Sequence, residues 1–154
     1  MHSPTPAATE EIGRRLGELL RRGDVVSLEG SVGAGKTVLA HGILAGLGIG
    51  GYRPSPTFAL VHTYPGPVHH IDAYRLAGPE EAYFLVEEGY FEEGIVLVEW
   101  GDRLAGLLPA EHLRITLAPS DGWRRITAQG PDERWGDFVA FGSRPRDEAP
   151  DGRC

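Results

Sequence analysis

The sequence has 154 residues, of which 41% are hydrophobic and 24% charged, which is the composition of one globular domain with a single core. Its net charge of −7 argues against direct, tight binding of nucleic acid, and no apolar run is long enough to cross a membrane. The one cysteine, Cys154, excludes internal disulfides and cysteine-based zinc sites. We expect a cytoplasmic protein without a secretory signal over residues 1–11.

The chain is predicted to begin with a helix and a buried strand. Residues 1–8 are rich in Pro, Ala and Thr, and we expect them to be loose. Apolar residues then recur at helical spacing, which predicts a helix over about residues 9–22. Residues 24–29 are apolar and β-branched and follow a turn signal, so they are predicted to form a buried strand.

The segment Gly30–Thr37, GSVGAGKT, fits the phosphate-loop pattern G-x-x-x-x-G-K-[ST] at every fixed position. Lys36 is the only lysine of the sequence, and it stands where a compact ammonium must reach between phosphate oxygens. A predicted helix over residues 37–48 follows, which completes the strand–loop–helix context that the pattern requires. The expected nucleotide-binding residues here are Ser31, Val32, Gly33, Ala34, Gly35, Lys36, Thr37 and Val38, with the Thr37 hydroxyl on Mg²⁺.

The second half is predicted to contain five strands and two helices. Strands over residues 58–64 and 68–74 are joined by the turn Pro65–Pro67 and are expected to pair antiparallel. The uniformly apolar run 94–99 suits a central parallel strand. One helix is predicted to begin at Pro79 and another to span residues 102–108, and edge strands are predicted over 112–117 and 123–129. We expect a single domain over residues 1–141, followed by a disordered tail over 142–154.

A phosphate-loop protein needs an acid at the end of a strand beside the loop, to hold Mg²⁺ or its water shell. Glu99 and Asp72 both follow apolar strand residues, and Glu99 is the better placed because the run before it must be central. Glu99 could also be a solvated strand-end carboxylate, and Asp72 could simply pair with Tyr74 or Arg75.

Three further features have open interpretations. His69 and His70 point to opposite faces of a strand, which disfavours a shared metal ion and favours a packed or hydrogen-bonded His70. Thr57 could sense a γ-phosphate, although a turn followed by an edge strand is the simpler reading. The acidic residues around Tyr90-Phe91 form either a solvated face or a docking surface.

Several segments together resemble the TsaE (YjeE-type) ATPase family, which takes part in threonylcarbamoyladenosine modification of bacterial tRNA. The resemblance covers about residues 10–117. The ordered combination is specific, whereas the phosphate loop alone is widespread. The matching segments are residues 30–37, Ser55-Pro56-Thr57-Phe58, His70-Ile71-Asp72-Ala73-Tyr74-Arg75-Leu76, Glu88-Gly89-Tyr90-Phe91 and Val98-Glu99-Trp100-Gly101-Asp102-Arg103-Leu104.

The resemblance implies a Mg²⁺-dependent ATPase that works with the proteins TsaB and TsaD and meets tRNA only through them. It implies that Lys36 contacts the β- and γ-phosphates while Thr37 and Glu99 hold Mg²⁺. Asp72 would assist the metal or orient water, Thr57 would lie near the γ-phosphate, and Trp100 would shape the nucleotide site or a partner surface. Lys36, Glu99 and Asp72 are thus the expected catalytic residues.

The sequence departs from the family at Ser31, where the family usually has an acidic residue. A regulatory GTPase is disfavoured because no second lysine remains for a guanine-selecting motif. A small-molecule kinase stays open, although its arginine lid would have to come from Arg124-Arg125 on a predicted edge strand. A non-hydrolysing nucleotide sensor also stays open. The expected fold is a three-layer, phosphate-loop α/β sandwich around a mainly parallel sheet with antiparallel edge strands.

Overall fold

A computed structural model describes residues 1–51, 60–130, 133, 135, 136 and 138. Thr57, the end of the predicted domain and the predicted tail over 142–154 lie outside these residues. In chain order the elements are β1 (His2–Ser3), α1 (Pro6–Leu19), β2 (Val25–Glu29), α2 (Lys36–Gly46), β3 (Val61–Tyr64), β4 (Val68–Asp72), a 3₁₀ turn (Pro79–Ala82), α3 (Tyr83–Glu87), α4 (Tyr90–Glu93), β5 (Ile95–Glu99), a 3₁₀ turn (Gly101–Leu104), β6 (Leu113–Ser120) and β7 (Trp123–Gln129).

The strands of the described part of the chain form one sheet in the order β1-β7-β6-β2-β5-β4-β3. The four consecutive strands β6, β2, β5 and β4 run parallel to one another. The outer pairs β3–β4, β6–β7 and β1–β7 are antiparallel. This confirms the predicted mixed α/β architecture, with a parallel centre and antiparallel additions.

The central strands are buried on both faces, which explains why they are apolar throughout. Alternate side chains of a strand point to opposite faces. Val26 and Leu97 therefore pack with α1 and α2 in one cluster, whereas Val96 and Val98 pack with the short helices of the other face in a second cluster. Both phosphate-loop flanks, β2 and α2, are anchored in the first cluster.

Helices α1 and α2 approach so closely that glycine is required between them. A Cβ added at Gly13 would overlap the carbonyl oxygen of Leu39, and one added at Gly42 would overlap that of Glu10. Real Cβ atoms do not tolerate such overlap with backbone. The glycine contacts therefore fix α2, whose first turn borders the phosphate loop.

The N-terminal segment is ordered, so the expectation of a loose stretch over residues 1–8 is wrong. The Thr5 side chain accepts a hydrogen bond from the Ala8 N–H at 3.1 Å and caps α1, which begins at Pro6. The backbone of Met1 accepts from the Ile126 N–H at 2.9 Å, and β1 pairs with β7. The partners of Met1 and β1 lie on a distant strand, which no local pattern could indicate.

Two other expectations need correction. The strands predicted at the edge, β6 and β7, both lie inside the sheet, because β2 flanks β6 and β1 flanks β7. The helix predicted over 102–108 is only the 3₁₀ turn Gly101–Leu104, since Ala105 adopts an extended ψ of 130° and ends it. Among the described residues, no helix combines the length and apolarity that a membrane crossing requires.

Candidate functional site

The loop between β2 and α2 turns on glycines with positive φ. Gly33 has φ 78° and Gly35 has φ 104°, a region that favours glycine. Gly35 is the N-cap of α2, and no side chain caps this end of the helix. The first-turn N–H groups of α2 therefore remain available to an anion, and the helix dipole favours negative charge there.

Lys36 lies beneath the loop and is almost fully buried, with 5% of its surface exposed. Its ammonium donates to the carbonyl oxygens of Gly30 at 2.6 Å and Ser31 at 2.7 Å, and it lies 3.9 Å from the ring centre of Trp100. Burial lowers the pKa of Lys36, while the charge of Glu99 and other nearby carboxylates opposes that shift. The ammonium is thus held at the loop.

Glu99, the last residue of β5, connects α2 with β4 through its two carboxylate oxygens. Its Oε1 accepts from the Thr37 hydroxyl at 2.7 Å, and its Oε2 lies 2.7 Å from Nε2 of the fully buried His70. Burial alone would raise the pKa of Glu99, but the hydrogen bonds from His70 and Thr37 and the charge of His70 hold that pKa below its ordinary value. Glu99 is therefore a fixed carboxylate favoured in its charged form.

Asp72 is the neighbour of Glu99 across the pair β4–β5. Its Oδ1 accepts from the Tyr74 backbone N–H at 3.0 Å. Burial raises the pKa of Asp72, and the charge of Glu99 raises it further. Two carboxylates of different character therefore stand side by side at the carboxyl ends of parallel strands, where α/β sheets bind ligands.

The oxygen donors at this edge suit Mg²⁺ better than a transition metal. The described residues contain no group of three or more His, Cys, Asp or Glu side chains arranged around one ion. Mg²⁺ keeps several waters and takes few protein ligands beside substrate phosphates. The Thr37 hydroxyl and the carboxylates of Glu99 and Asp72 fit such a partly hydrated ion.

Trp100, the residue after Glu99, lines the space beside Lys36. Its φ of 60° is left-handed, which is uncommon for a bulky residue and is associated with functional sites. Gly101 follows it and lies against Ser27 so tightly that an added Cβ would overlap that side chain. The Trp100 ring packs beside Tyr74, with ring centres 5.0 Å apart, and the Arg103 guanidinium lies 5.6 Å from the Trp100 ring centre.

These features surround one cleft of about 470 Å³. Of the residues that the sequence predicts for the site, most line it: Val32, Gly33, Gly35, Lys36, Thr37, Val38, Asp72, Glu99 and Trp100. The side chain of Ala34 points instead into the core, and Ser31 contributes the carbonyl that holds Lys36. Two lining residues are absent from the predicted nucleotide site: Tyr74, which was considered only as a partner of Asp72, and Arg124, which was considered only as part of a kinase lid on an edge strand.

The adjacent histidines have separate surroundings, as predicted. His70 bonds to Glu99, whereas Nδ1 of His69 lies 2.9 Å from the Thr63 hydroxyl and its ring packs edge-on against Tyr90. The aromatic pair of the acidic segment is mostly packed inward, because Phe91 is buried and Tyr90 is partly buried. The exposed part of this segment therefore consists mainly of its glutamates.

Comparison with known proteins gives the family. The model of the TsaE family, described as threonylcarbamoyl adenosine biosynthesis protein TsaE, matches residues 3–126. The chain belongs to the TsaE family. Every residue that lines the cleft lies within the matched segment.

Individual TsaE relatives agree with this assignment. The tRNA threonylcarbamoyladenosine biosynthesis protein TsaE of Streptomyces coelicolor is 39% identical over 136 residues, which cover 81% of this chain and 92% of that protein. The TsaE protein of Bacillus subtilis is 36% identical, covering 90% and 84%. The crystal structure of Bacillus subtilis YdiB superposes with a TM-score of 0.73 at 30% identity, covering 92% of this chain and 90% of that one.

Proposed function

We propose that this chain is the Mg²⁺-dependent ATP-binding and ATP-hydrolysing subunit of a tRNA-modifying assembly. It acts in threonylcarbamoyladenosine modification at tRNA position 37, together with TsaB and TsaD, in the cytoplasm. The fold is then a three-layer sandwich of the phosphate-loop type. The observation that carries the proposal is the hydrogen bond from Thr37 to Glu99, because a hydroxyl and an acid, oxygen ligands of the kind that Mg²⁺ takes, lie together beside Lys36.

The nucleotide would lie along the Gly30–Thr37 loop. The uncapped N–H groups of α2 would bind the β-phosphate, and Lys36 would exchange its carbonyl partners for β- and γ-phosphate oxygens. Mg²⁺ neutralises charge on these phosphates when it is bound. Thr37 would coordinate the ion, while Glu99 and Asp72 would hold the ion or its waters.

Glu99 and Asp72 would have different roles in binding the metal ion and orienting water. Both oxygens of Glu99 already accept hydrogen bonds, so Glu99 suits a fixed, charged position. Asp72 is partly exposed in the cleft and carries one hydrogen bond from Tyr74, so it is the freer acid to orient an attacking water. Thr57 remains a proposed contact of the γ-phosphate.

We infer partner dependence from the chemistry of phosphoryl transfer and from the net charge of the chain. Phosphoryl transfer needs cations that stabilise developing charge, and a partner can supply one in trans. The net charge of −7 is unsuited to direct tRNA binding, so tRNA would be reached through TsaB and TsaD. We therefore expect slow hydrolysis by the isolated chain.

A non-hydrolysing nucleotide sensor is the second candidate. It is favoured by the engagement of both Glu99 oxygens, which leaves that acid poorly suited to activate water. The two candidates share the same nucleotide site. They differ only in whether ATP is turned over.

Steady-state ATP hydrolysis, measured with the chain alone and with TsaB and TsaD added, tests the proposal. We expect clear stimulation by the pair and its loss in Lys36→Ala. The matched control is Arg125→Ala, which removes an exposed cation that does not line the cleft. Binding of ATP without turnover under either condition would favour the sensor, and an absence of ATP binding would refute both.

A further inference from the structure

Exposed apolar side chains are concentrated in one segment of the described chain. Of the five large hydrophobic residues that are exposed there, three lie between residues 74 and 86: Tyr74 at 45%, Tyr83 at 50% and Val86 at 50%. Single exposed apolar side chains are ordinary, whereas a group rimmed by polar residues marks an interaction site. Tyr74 lines the cleft, but Tyr83 and Val86 do not, so their exposure has a cause other than nucleotide binding.

Tyr83 and Val86 lie on the outward side of α3. Leu85, between them in sequence, is fully buried in the core cluster of this side of the sheet. Residues three and four positions apart are neighbours on a helical surface. Glu80, Tyr83, Val86 and Glu87 follow this spacing along the 3₁₀ turn and α3, and all four are exposed. We call these four residues the α3 face.

The charge of the segment around the α3 face is strongly negative. Residues 80–93 contain six glutamates, all of them exposed, and no lysine or arginine occurs between Arg75 and Arg103. None of the ion pairs among the described residues includes one of these glutamates. Arg22 approaches only the far end of the segment, where it donates to the Glu93 carbonyl oxygen at 2.9 Å. The apolar pair is therefore flanked by carboxylates that no cation neutralises.

The α3 face is connected to the cleft by a short and well-packed stretch of chain. After Asp72, the chain passes through Tyr74 and Leu76 before the 3₁₀ turn begins at Pro79. The Arg103 guanidinium donates to the Leu76 carbonyl oxygen at 3.1 Å and lies 5.4 Å from the Tyr74 ring centre. The 3₁₀ turn before α3 also contacts the 3₁₀ turn that follows β5. A protein bound to the α3 face would thus press on the segments that follow both acids of the cleft.

We propose that the α3 face binds a partner protein through a basic surface patch with an apolar centre. The inference rests on the proposed function, because it assigns the surface by which a partner would stimulate ATP hydrolysis. A partner arginine could pair with Glu80 or Glu87 and stack on the Tyr83 ring. The charge opposes two other occupants: a nucleic acid would bring phosphates against the glutamates, and a second copy of the chain would bring the same glutamates.

The test measures binding of the chain to the TsaB–TsaD pair by biolayer interferometry, with ATP and Mg²⁺ present, at several salt concentrations. The double variant Tyr83→Ser with Val86→Ser removes the apolar centre and is expected to weaken binding about tenfold at every salt concentration. The double variant Glu80→Arg with Glu87→Arg reverses the flanking charge. It is expected to slow association about tenfold and to remove most of the salt dependence.

Two exposed residues of α1 provide matched controls, because α1 packs on the opposite face of the sheet. Leu19→Ser removes an exposed apolar side chain, and Glu10→Arg reverses an exposed charge. Both should bind the pair as the wild type does. Circular dichroism checks the fold of every variant, and calorimetric titration checks that each still binds ATP, since none of these residues lines the cleft.

Wild-type binding by both double variants would overturn the inference, and so would losses of the same size in the α1 controls. A wild-type dimer that dissociates in the Tyr83→Ser and Val86→Ser variant would assign the face to a second copy. Binding of isolated tRNA that the same variant abolishes would assign it to nucleic acid. Failure of the proposed function appears instead in the wild type, as a lack of ATP binding or of stimulation by the pair. If the pair stimulates the wild type, normal binding by both double variants refutes this inference alone.

Discussion

The Thr37 hydroxyl lies 2.7 Å from Oε1 of Glu99, which joins the first turn of α2 to the end of β5 across 62 positions of the sequence. The other oxygen of the same carboxylate lies 2.7 Å from the buried His70 ring. Glu99 is therefore held from both sides at the point where the phosphate loop meets the sheet. A metal ion on Thr37 would meet a carboxylate whose position is already set.

We expect Glu99→Ala to reduce ATP hydrolysis more than ATP binding. The carboxylate positions the metal and its waters in the transition state, whereas the loop N–H groups and Lys36 hold the phosphates in the ground state as well. The measurement is single-turnover hydrolysis beside calorimetric binding, with Glu99→Gln as the isosteric companion. Equal losses in both quantities would assign Glu99 to nucleotide binding only.

Lys36→Ala is expected to lower ATP affinity at least about tenfold, because it removes a charge-assisted hydrogen bond to phosphate. Lys36→Arg should not restore the affinity, since the buried space between the Gly30 carbonyl and the Trp100 ring suits a compact ammonium. Calorimetry gives the affinities, and far-UV circular dichroism checks the fold. Wild-type affinity in either variant would contradict the assignment of Lys36.

The stability difference between the wild type and Glu99→Gln should depend on pH. The pKa of Glu99 in the folded protein lies below its ordinary value of 4.5, so the charged carboxylate stabilises the fold above that value. This contribution is lost as the pH falls through the lowered pKa. The wild-type free energy of unfolding, relative to the variant, should therefore decline below about pH 4.5.

Urea unfolding of both proteins, from pH 7 down to pH 3, measures this dependence. Carboxylates distant from Glu99 titrate alike in both proteins, so they cancel in the difference. Asp72 does not cancel, because the charge of Glu99 raises its pKa, so the comparison is repeated with Asp72→Asn in both proteins. A difference that stays constant over the whole range would mean that Glu99 is not held in its charged form.

Gly42→Ala should lower the free energy of unfolding by about 2 kcal/mol, because the new methyl group would overlap the Glu10 carbonyl of α1. The better helix propensity of alanine offsets only about 1 kcal/mol of this strain. Gly50→Ala is the control, since nothing lies within 4 Å of its added Cβ, and it should change stability by less than about 0.5 kcal/mol. Chemical denaturation measures both, and equal stabilities would contradict the glycine-dependent packing of α1 and α2.

The sequence was sufficient to predict the parts of the fold that local patterns determine. The apolar run of β2 is buried, and that of β5 is buried, central and parallel, as predicted. The position of β6 inside the sheet could not be predicted from the sequence, because the exposed Arg114 and Thr116 alternate with buried residues along this strand. Such alternation marks one solvated face, and it does not tell whether both edges of a strand are paired.

The candidate site was predictable where its residues belong to local motifs. The loop residues, Asp72, Glu99 and Trp100 were found in this way. Arg124 was not, because only the pairing of β6 with β7 brings it over Gly33 and Gly35. The sequence predicted a packed or hydrogen-bonded His70. It did not predict that the partner is Glu99, because that depends on the β4–β5 register.

The most direct test of the central claim is the threonylcarbamoyladenosine content of tRNA in cells whose only TsaE-family protein is this chain. Mass spectrometry of digested tRNA quantifies the modified nucleoside. The account predicts full modification with the wild-type chain and with Arg125→Ala, and its loss with Lys36→Ala at equal protein level. Full modification with Lys36→Ala would contradict the proposal that ATP bound at this loop drives the function.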